Sequence, residues 1–431
     1  MEIDPAAFTA QVRPPGNGAD DEASTATNHL NLRLALHGDE RTVDLVRFDS
    51  FARRIMLERP IPRPGMPAPA EFEPRAWCDE DDVALCEHFN GLGFKRVGRD
   101  LVRDVIALEA AGRAYHPVRD YLDGLARDAT PRLSRFFFDH CGTIAEGETD
   151  EERREHNRYI EGVTRSFFVS AVARVYEPGC KADHMLVLEG SQGSWKSRLL
   201  RLLALKDDWF SDSLPENLGS KDARQHLSGR WLIEMGEVAQ FRRGEVETIK
   251  SFLSCQVDVY RPAYGRLDVS VPRQCTFVGT TNADCYLHDT TGNRRFWPIK
   301  VAAIHLDTIR PIIDQLWAEA VAVYHAGAPW WLAADLEHIA AGVQHERLTR
   351  DPWQDVLSGL AARCQPGDEL TAGECFVNLG VEVGDRTRGD EMRISGILRD
   401  LGLVRTRRRG SGGRAYVYVR PAPASAAEPP R

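Results

Sequence analysis

No stretch of the 431 residues approaches the roughly 20 consecutive apolar residues that a membrane-spanning helix needs. The opening MEIDPAAFTA is acidic and has no apolar core of the kind an export signal carries, so the expectation is a bacterial cytoplasmic protein without a membrane partner. Among the 9 cysteines there is no CxxC pair, which argues against a ribbon-type zinc site, and the odd count suits a reducing compartment. No clustered Asp/His set of the nuclease or primase type is visible, and no repeat of fixed period occurs. Positive charge is in deficit: 55 Lys and Arg against 64 Asp and Glu give −9, which excludes a uniformly basic nucleic-acid coat. The length exceeds what one ordinary core holds, so two or three domains are expected.

What positive charge there is lies unevenly. Between Arg386 and Arg420 ten arginines face only Asp390, Glu391 and Asp400, a local balance of +7 inside a negative chain. That asymmetry is the footprint of a local polyanion-binding module. There the order is helix, helix (DEMRISGILRDLG), then two strands around GSGG, a winged-helix-like arrangement. Arg405, Arg407, Arg408, Arg409 and Arg414 would line its wing and meet DNA phosphates, which position a duplex without reading its sequence. The alternative partner for this surface is an acidic protein or a second copy of the chain.

The rest of the chain divides by pattern. Residues 1–28 read as a flexible arm and 422–431 as a disordered tail. Residues 29–165 read as a mainly helical accessory region: short strands around HGDE and then a helix before Arg63, helices over 79–140, and a long amphipathic helix over 151–177. From 166 to 335 strands and helices alternate, predicting an α/β core with a mostly parallel sheet. A helical linker, 336–350, leads to the winged-helix-like domain, 351–421.

The core opens with MLVLEGSQGSWKS, an apolar strand followed by a phosphate-binding pattern with one departure. Gly190, Ser191, Gln192, Gly193, Ser194, Trp195, Lys196 and Ser197 supply a tight backbone, a cation for the β- and γ-phosphates and a hydroxyl for Mg²⁺. Trp195 stands where the general motif has glycine. Downstream, RWLIEMGE places Glu234 and Glu237 at the end of a strand, where acids hold Mg²⁺ (Glu234, directly or through water) or polarise the attacking water (Glu237). TFVGTTN then ends a strand in Asn282, positioned to sense a γ-phosphate. Arg294 and Arg295 in TGNRRFWPI could reach a neighbouring subunit's nucleotide. Each of these alone fits an ordinary turn or ion pair; their order along the chain carries the reading.

From Arg165 to Trp331 the chain resembles the virulence-associated protein E (VapE-like) family, found in phages, prophages and mobile islands and similar to superfamily 3 helicases among the AAA+ ATPases. The resemblance weakens toward Asp120 and is thin before Asp79. It implies the same site residues, although the acidic strand departs from an adjacent Asp-Glu pair. It also implies that the hairpin VDVYRPAYGRLDVSV projects into a ring's channel and grips DNA through Arg261 and Arg266, with Tyr260 and Tyr264 as stacking faces. The hairpin could equally pack on its own subunit. Lys250, on the preceding helix, is a further phosphate, DNA or plain surface candidate.

The leading expectation is therefore an ATP- and Mg²⁺-dependent DNA motor, a helicase or replication-initiation ATPase. It would act on single-stranded or forked DNA as a homo-oligomeric ring, a hexamer in the favoured case, with the region before Tyr176 as a collar and with priming left to a separate primase. The first alternative is a nucleotide-binding switch in which Trp195 has cost the site its hydrolysis. A small-molecule phosphotransferase is disfavoured by the basic module and the TTN strand end.

Overall fold

In the computed structural model, residues 26–421 are described apart from 64, 68, 70, 241–242, 263–266, 288–291, 350 and 411–412. Most of the expected arm and the whole expected tail lie outside these residues. Asn28 accepts the Asn31 N–H at 2.9 Å and so caps α1 (His29–Gly38), where Leu32, Ala35 and Leu36 recur at helical spacing and are buried. A helix thus precedes the strands in a segment expected to run from strands to helix. The reason is that cap and apolar spacing together favour helix before the polar HGDE turn.

Next come β1 (Val46–Asp49), β2 (Arg54–Leu57), β3 (Arg75–Ala76), α2 (Asp79–Gly91), α3 (Arg99–Ala111) and β4 (Ala114–Tyr115). The four strands form a sheet in the order β3-β2-β1-β4, with β4 the parallel member. One face packs on the three helices through Leu32, Leu57, Phe89, Val102 and Ile106. The accessory region is therefore helical with a small mixed sheet.

After α4 (Pro117–Asp123) and α5 (Phe136–Cys141) runs α6 (Asp150–Tyr176), started by a capping box between Thr149 and Glu152. Its first turns are charged and exposed. From Tyr159 to Val175, however, every residue except Glu161 and Arg165 is buried, so this half is enclosed rather than amphipathic. Trp231 Nε1 donates to the Ala171 carbonyl at 2.9 Å and the Tyr159 hydroxyl to the Pro298 carbonyl at 3.0 Å. The boundary expected between 165 and 166 consequently falls inside one continuous helix that belongs to the α/β core.

That core contains β5 (Met185–Glu189), α7 (Lys196–Leu203), β6 (Phe210–Ser211), α8 (Lys221–His226), β7 (Leu232–Met235), α9 (Arg243–Ser254), the hairpin β8 (Val257–Tyr260) and β9 (Val269–Pro272), β10 (Thr276–Thr281) and β11 (Phe296–Lys300). Five strands make a parallel sheet ordered β11-β5-β10-β7-β6. β5, β7 and β10 are buried throughout, as strands covered on both faces must be. α10 (Leu306–Ile309) and α11 (Ile313–His325) follow, with Trp317 packed against Trp231 at 4.2 Å between ring centroids and a tilt of 33°. The α/β class and the parallel sheet are as the alternation predicted. No described helix is long and apolar enough to cross a membrane.

The chain divides into two compact units, the second comprising 239–246, 283–294 and 341–431. After α12 (Ala334–Glu346), which runs from the first into the second, that unit contains α13 (Gln354–Arg363), β12 (Glu369–Thr371), α14 (Ala372–Asn378), α15 (Arg388–Asp400), β13 (Val404–Gly410) and β14 (Gly413–Val419). Its antiparallel sheet is ordered β12-β14-β13 over a core of Leu357, Cys375, Ile394, Leu398 and Tyr418. Here helices α13 to α15 are followed by the two-stranded hairpin β13–β14.

Candidate functional site

The loop between β5 and α7 is shaped by three residues. At Gly190 a Cβ would come 2.4 Å from the Val301 carbonyl oxygen, so only glycine fits. Gly193 has φ +82°. Trp195 takes φ 69° and ψ 19°, a left-handed conformation that costs a non-glycine residue about 1 kcal/mol. Its carbonyl accepts the Leu199 N–H at 2.9 Å and so launches α7. The ring is 47% exposed and lies 3.9 Å from the Arg198 guanidinium carbon, a cation–π contact. The loop therefore accommodates the tryptophan by using a backbone region glycine would also use.

Lys196, the first residue of α7, is buried. Its Nζ donates to the Gly190 carbonyl at 2.7 Å, the Ser191 carbonyl at 3.0 Å and Asn282 Oδ1 at 2.9 Å. Burial pushes this ammonium below its ordinary pKa, while Glu237 and Glu234 pull it back up. Glu234 on β7 is 4% exposed; its Oε1 accepts from Ser197 Oγ at 2.8 Å and from Thr280 Oγ1 at 2.7 Å. Its Oε2 is buried with no protein partner. An unsatisfied carboxylate oxygen beside a serine hydroxyl is a donor set that suits a small divalent cation such as Mg²⁺. Glu237 has φ 51° and accepts from Asn282 Nδ2 at 3.3 Å. Two residues other than glycine in left-handed backbone, Trp195 and Glu237, thus flank one site.

Lys196, Ser197, Glu237 and Asn282 line a cleft of about 420 Å³ formed by 192–198, Glu237, Thr280, Thr281 and Asn282, and Glu234 is bonded to two of its lining residues, Ser197 and Thr280. The cleft opens beyond the carboxyl ends of β5, β7 and β10, where parallel sheets place their ligands. The sequence-predicted Lys196, Ser197, Glu234, Glu237 and Asn282 are therefore brought together. Two neighbours join them, Thr280, read from sequence only as part of the TTN strand end, and Arg198, to which the sequence reading assigned nothing. Thr280 clamps Glu234, and Arg198 reaches the cleft through its stack on Trp195; their strand-end and i+3 positions were the only available signals.

The model of the virulence-associated protein E-like domain matches residues 122–349. The chain belongs to this family. No curated protein matches the sequence. Among solved structures, two of the apo A form of the NrS-1 C-terminal region are similar. One has 12% identity and a TM-score of 0.43, covering 91% of this chain and 100% of that one. The other, of its residues 305–718, has 13% identity and a TM-score of 0.42, covering 92% and 100%. At those scores the likeness carries no functional argument.

Elsewhere in the VapE-like domain the predicted residues are dispersed. Arg295 immediately precedes β11, whose first residue pairs with Met185 at the start of β5, whereas the loop follows the last. Arg295 is thus a strand's length from its own chain's cleft, roughly 16 Å for five residues. Its Nε donates to Ser254 Oγ at 2.9 Å and lies 3.9 Å from Asp183 Oδ2. Arg294, next to it, is exposed. In the hairpin, Tyr260 is buried and its hydroxyl shares a hydrogen bond with Ser228 Oγ at 3.1 Å, so it is no stacking face. Arg261 is exposed, and Tyr264 and Arg266 lie outside the described residues. Lys250 is not a surface cation: it is buried and donates to Glu247 at 2.9 Å.

In the wing, Arg405 lies 3.6 Å from the Tyr416 ring and Arg408 pairs with Glu369 at 2.7 Å. Arg407 is exposed opposite Tyr416, and Arg409 is paired with Arg414 in backbone register. Three other arginines of the basic stretch work inside the fold. Arg393 binds Asp351, Arg386 covers Phe376, and Arg420 donates to the Ala361 and Cys364 carbonyls. The exposed positive charge is smaller than the sequence count suggests.

Proposed function

We propose that the chain is an ATP hydrolase acting on DNA, a helicase-like or replication-initiation motor. The observation that carries it is the convergence of Lys196, Ser197, Glu234, Glu237 and Asn282, from one helix start and two strand ends, on a single cleft. In this reading the loop N–H groups and Lys196 hold the β- and γ-phosphates. Ser197 and Glu234 hold Mg²⁺, which when bound neutralises charge on the phosphate oxygens. Glu237 accepts a proton from, and so orients, the water that attacks the γ-phosphorus; the bridging oxygen leaves with ADP. Asn282 Nδ2 donates to Glu237 and offers its second N–H to the γ-phosphate, while its Oδ1 accepts from Lys196.

The remaining parts fit a multi-subunit motor. Arg295 is at the opposite end of the sheet from its own cleft, so a role for Arg294 or Arg295 in hydrolysis requires a neighbouring copy, as in a ring. Arg261, with Tyr264 and Arg266, would meet DNA in the hairpin, and Arg405, Arg407, Arg409 and Arg414 in the wing. The test is steady-state ATP hydrolysis by wild type, Lys196→Ala and Glu237→Gln with single-stranded DNA titrated in. Hydrolysis that neither substitution lowers sinks the site. Nucleotide binding without turnover in the wild type leaves a nucleotide-dependent switch instead.

A further inference from the structure

We propose that Trp195 and Arg198 act as one nucleotide-contacting element, in which the indole ring holds the arginine over the cleft as its second phosphate-binding cation. The inference rests on the reading of the cleft as an ATP site and explains the one residue that departs from the phosphate-loop pattern.

Four observations carry it. The Trp195 backbone is set by its left-handed φ of 69° and by its carbonyl bond to Leu199, which fixes where its side chain leaves the loop. Arg198 follows three residues later, the spacing that puts two side chains on the same face of a helix start, and its guanidinium lies on that ring at 3.9 Å. Stacking occupies a face of the guanidinium and leaves its edge donors directed outward. Among the described residues Arg198 makes no hydrogen bond or ion pair, whereas Arg201, one turn on, is tied to Asp207 and Asp212.

Charge gives the arginine its purpose. The cleft receives an anionic nucleotide, yet without Arg198 its nearby charges are Lys196 against Glu234 and Glu237. Lys196 is moreover saturated by two carbonyls and the Asn282 amide before any phosphate arrives. An exposed guanidinium, pre-positioned and free of carboxylates, supplies the missing cation at little ordering cost. Tryptophan in place of glycine is then a support for Arg198 and not a defect.

Calorimetric titration of the full chain with MgATP, MgADP and adenosine tests this. Arg198→Gln weakens MgATP and MgADP binding about tenfold and leaves adenosine binding unchanged. Trp195→Gly, which relaxes the backbone while removing the ring, weakens MgATP binding about threefold. The double variant binds no worse than Arg198→Gln. Rescue of the tryptophan position by Phe completes the case. Wild-type MgATP affinity in Arg198→Gln overturns the proposal, as do losses that multiply in the double variant or an equal loss for adenosine. Lys196→Ala separates the two readings. If it too binds MgATP normally, the cleft is not a phosphate site at all; if it alone fails, only the Trp195–Arg198 element is wrong.

Discussion

Lys196 and Asn282 are joined across the cleft, Nζ donating to Oδ1 at 2.9 Å, so the first residue of α7 and the residue after β10 are tied together. The other end of the same amide donates to Glu237. A phosphate that draws the lysine away removes one of the two bonds orienting the amide. Asn282→Ala should therefore lower kcat about 100-fold with MgATP affinity changed less than threefold. Single-turnover hydrolysis beside equilibrium binding checks it, and a loss confined to binding would contradict the assignment.

The two glutamates should separate experimentally. Glu234 is buried against Ser197 and Thr280 with one oxygen unsatisfied, whereas Glu237 meets only Asn282 in the cleft. Glu234→Gln should raise the Mg²⁺ concentration needed for half-maximal activity. Glu237→Gln should leave that requirement alone and reduce turnover at least 100-fold. Exchanged phenotypes in a Mg²⁺ titration would reverse the roles.

Two glycines of the loop should respond differently to alanine. At Gly190 the new methyl meets a backbone oxygen at 2.4 Å, while at Gly193 it meets open space but a positive φ. Gly190→Ala should cost about 1–3 kcal/mol and abolish nucleotide binding. Gly193→Ala should cost about 1 kcal/mol and preserve measurable binding. Thermal unfolding with and without MgATP reads both, and equal effects would show that the loop yields more than its geometry allows.

Acid should loosen the core through His184. This ring is enclosed, stacks on Trp297 at 3.7 Å and has an unpartnered Nε2, and burial pushes its pKa down to about 3, aided by the Arg174 cation. The unfolded chain binds a proton near pH 6.5 that the folded chain refuses until about 3. Stability is thus complete above pH 6.5 and falls as pH is lowered. The loss by pH 5 is about 2 kcal/mol. His184→Phe should flatten that fall in urea unfolding at pH 7 and pH 5; an unchanged slope would assign it to other groups.

On the wing, Arg407 and Arg408 are neighbours with different employment, since only Arg408 is paired with Glu369. Arg407→Gln should weaken DNA binding and reduce its salt dependence by about one counterion. Arg408→Gln should do less to DNA and more to the unfolding temperature. Equal salt slopes for both variants and wild type would remove the wing from the DNA-binding surface.

The loop between β5 and α7 was legible because local chemistry dictates it: Gly190 has no alternative, and Lys196 and Ser197 begin a helix with apolar residues at its spacing. Strand ends in Glu234 and Asn282 were legible for the same reason, being polar residues terminating buried apolar runs. The order of the strands across the sheet was not, because pairing Met185 with both Phe277 and Phe296 is a long-range fact. The fate of Tyr260 and Lys250 was also hidden. Both look like surface groups in sequence, yet Tyr260 is buried against Ser228, 32 residues away, and Lys250 is buried although its partner Glu247 stands one turn back on the same helix. The mixed sheet before residue 116 escaped because β3 and β4 are two residues long and carry no alternation.

Helix α6 decides where this protein can be cut. Its enclosed half gives Trp231 its hydrogen-bond acceptor and Pro298 its donor, so a fragment begun at residue 166 would start inside the wall of its own core. A graft that exchanges the front of the chain for another must place its seam ahead of Thr149, where the capping box begins the helix. The helix is the spine that the front and the core hold in common, and whatever the front is adapted to do, it inherits that spine with the sheet.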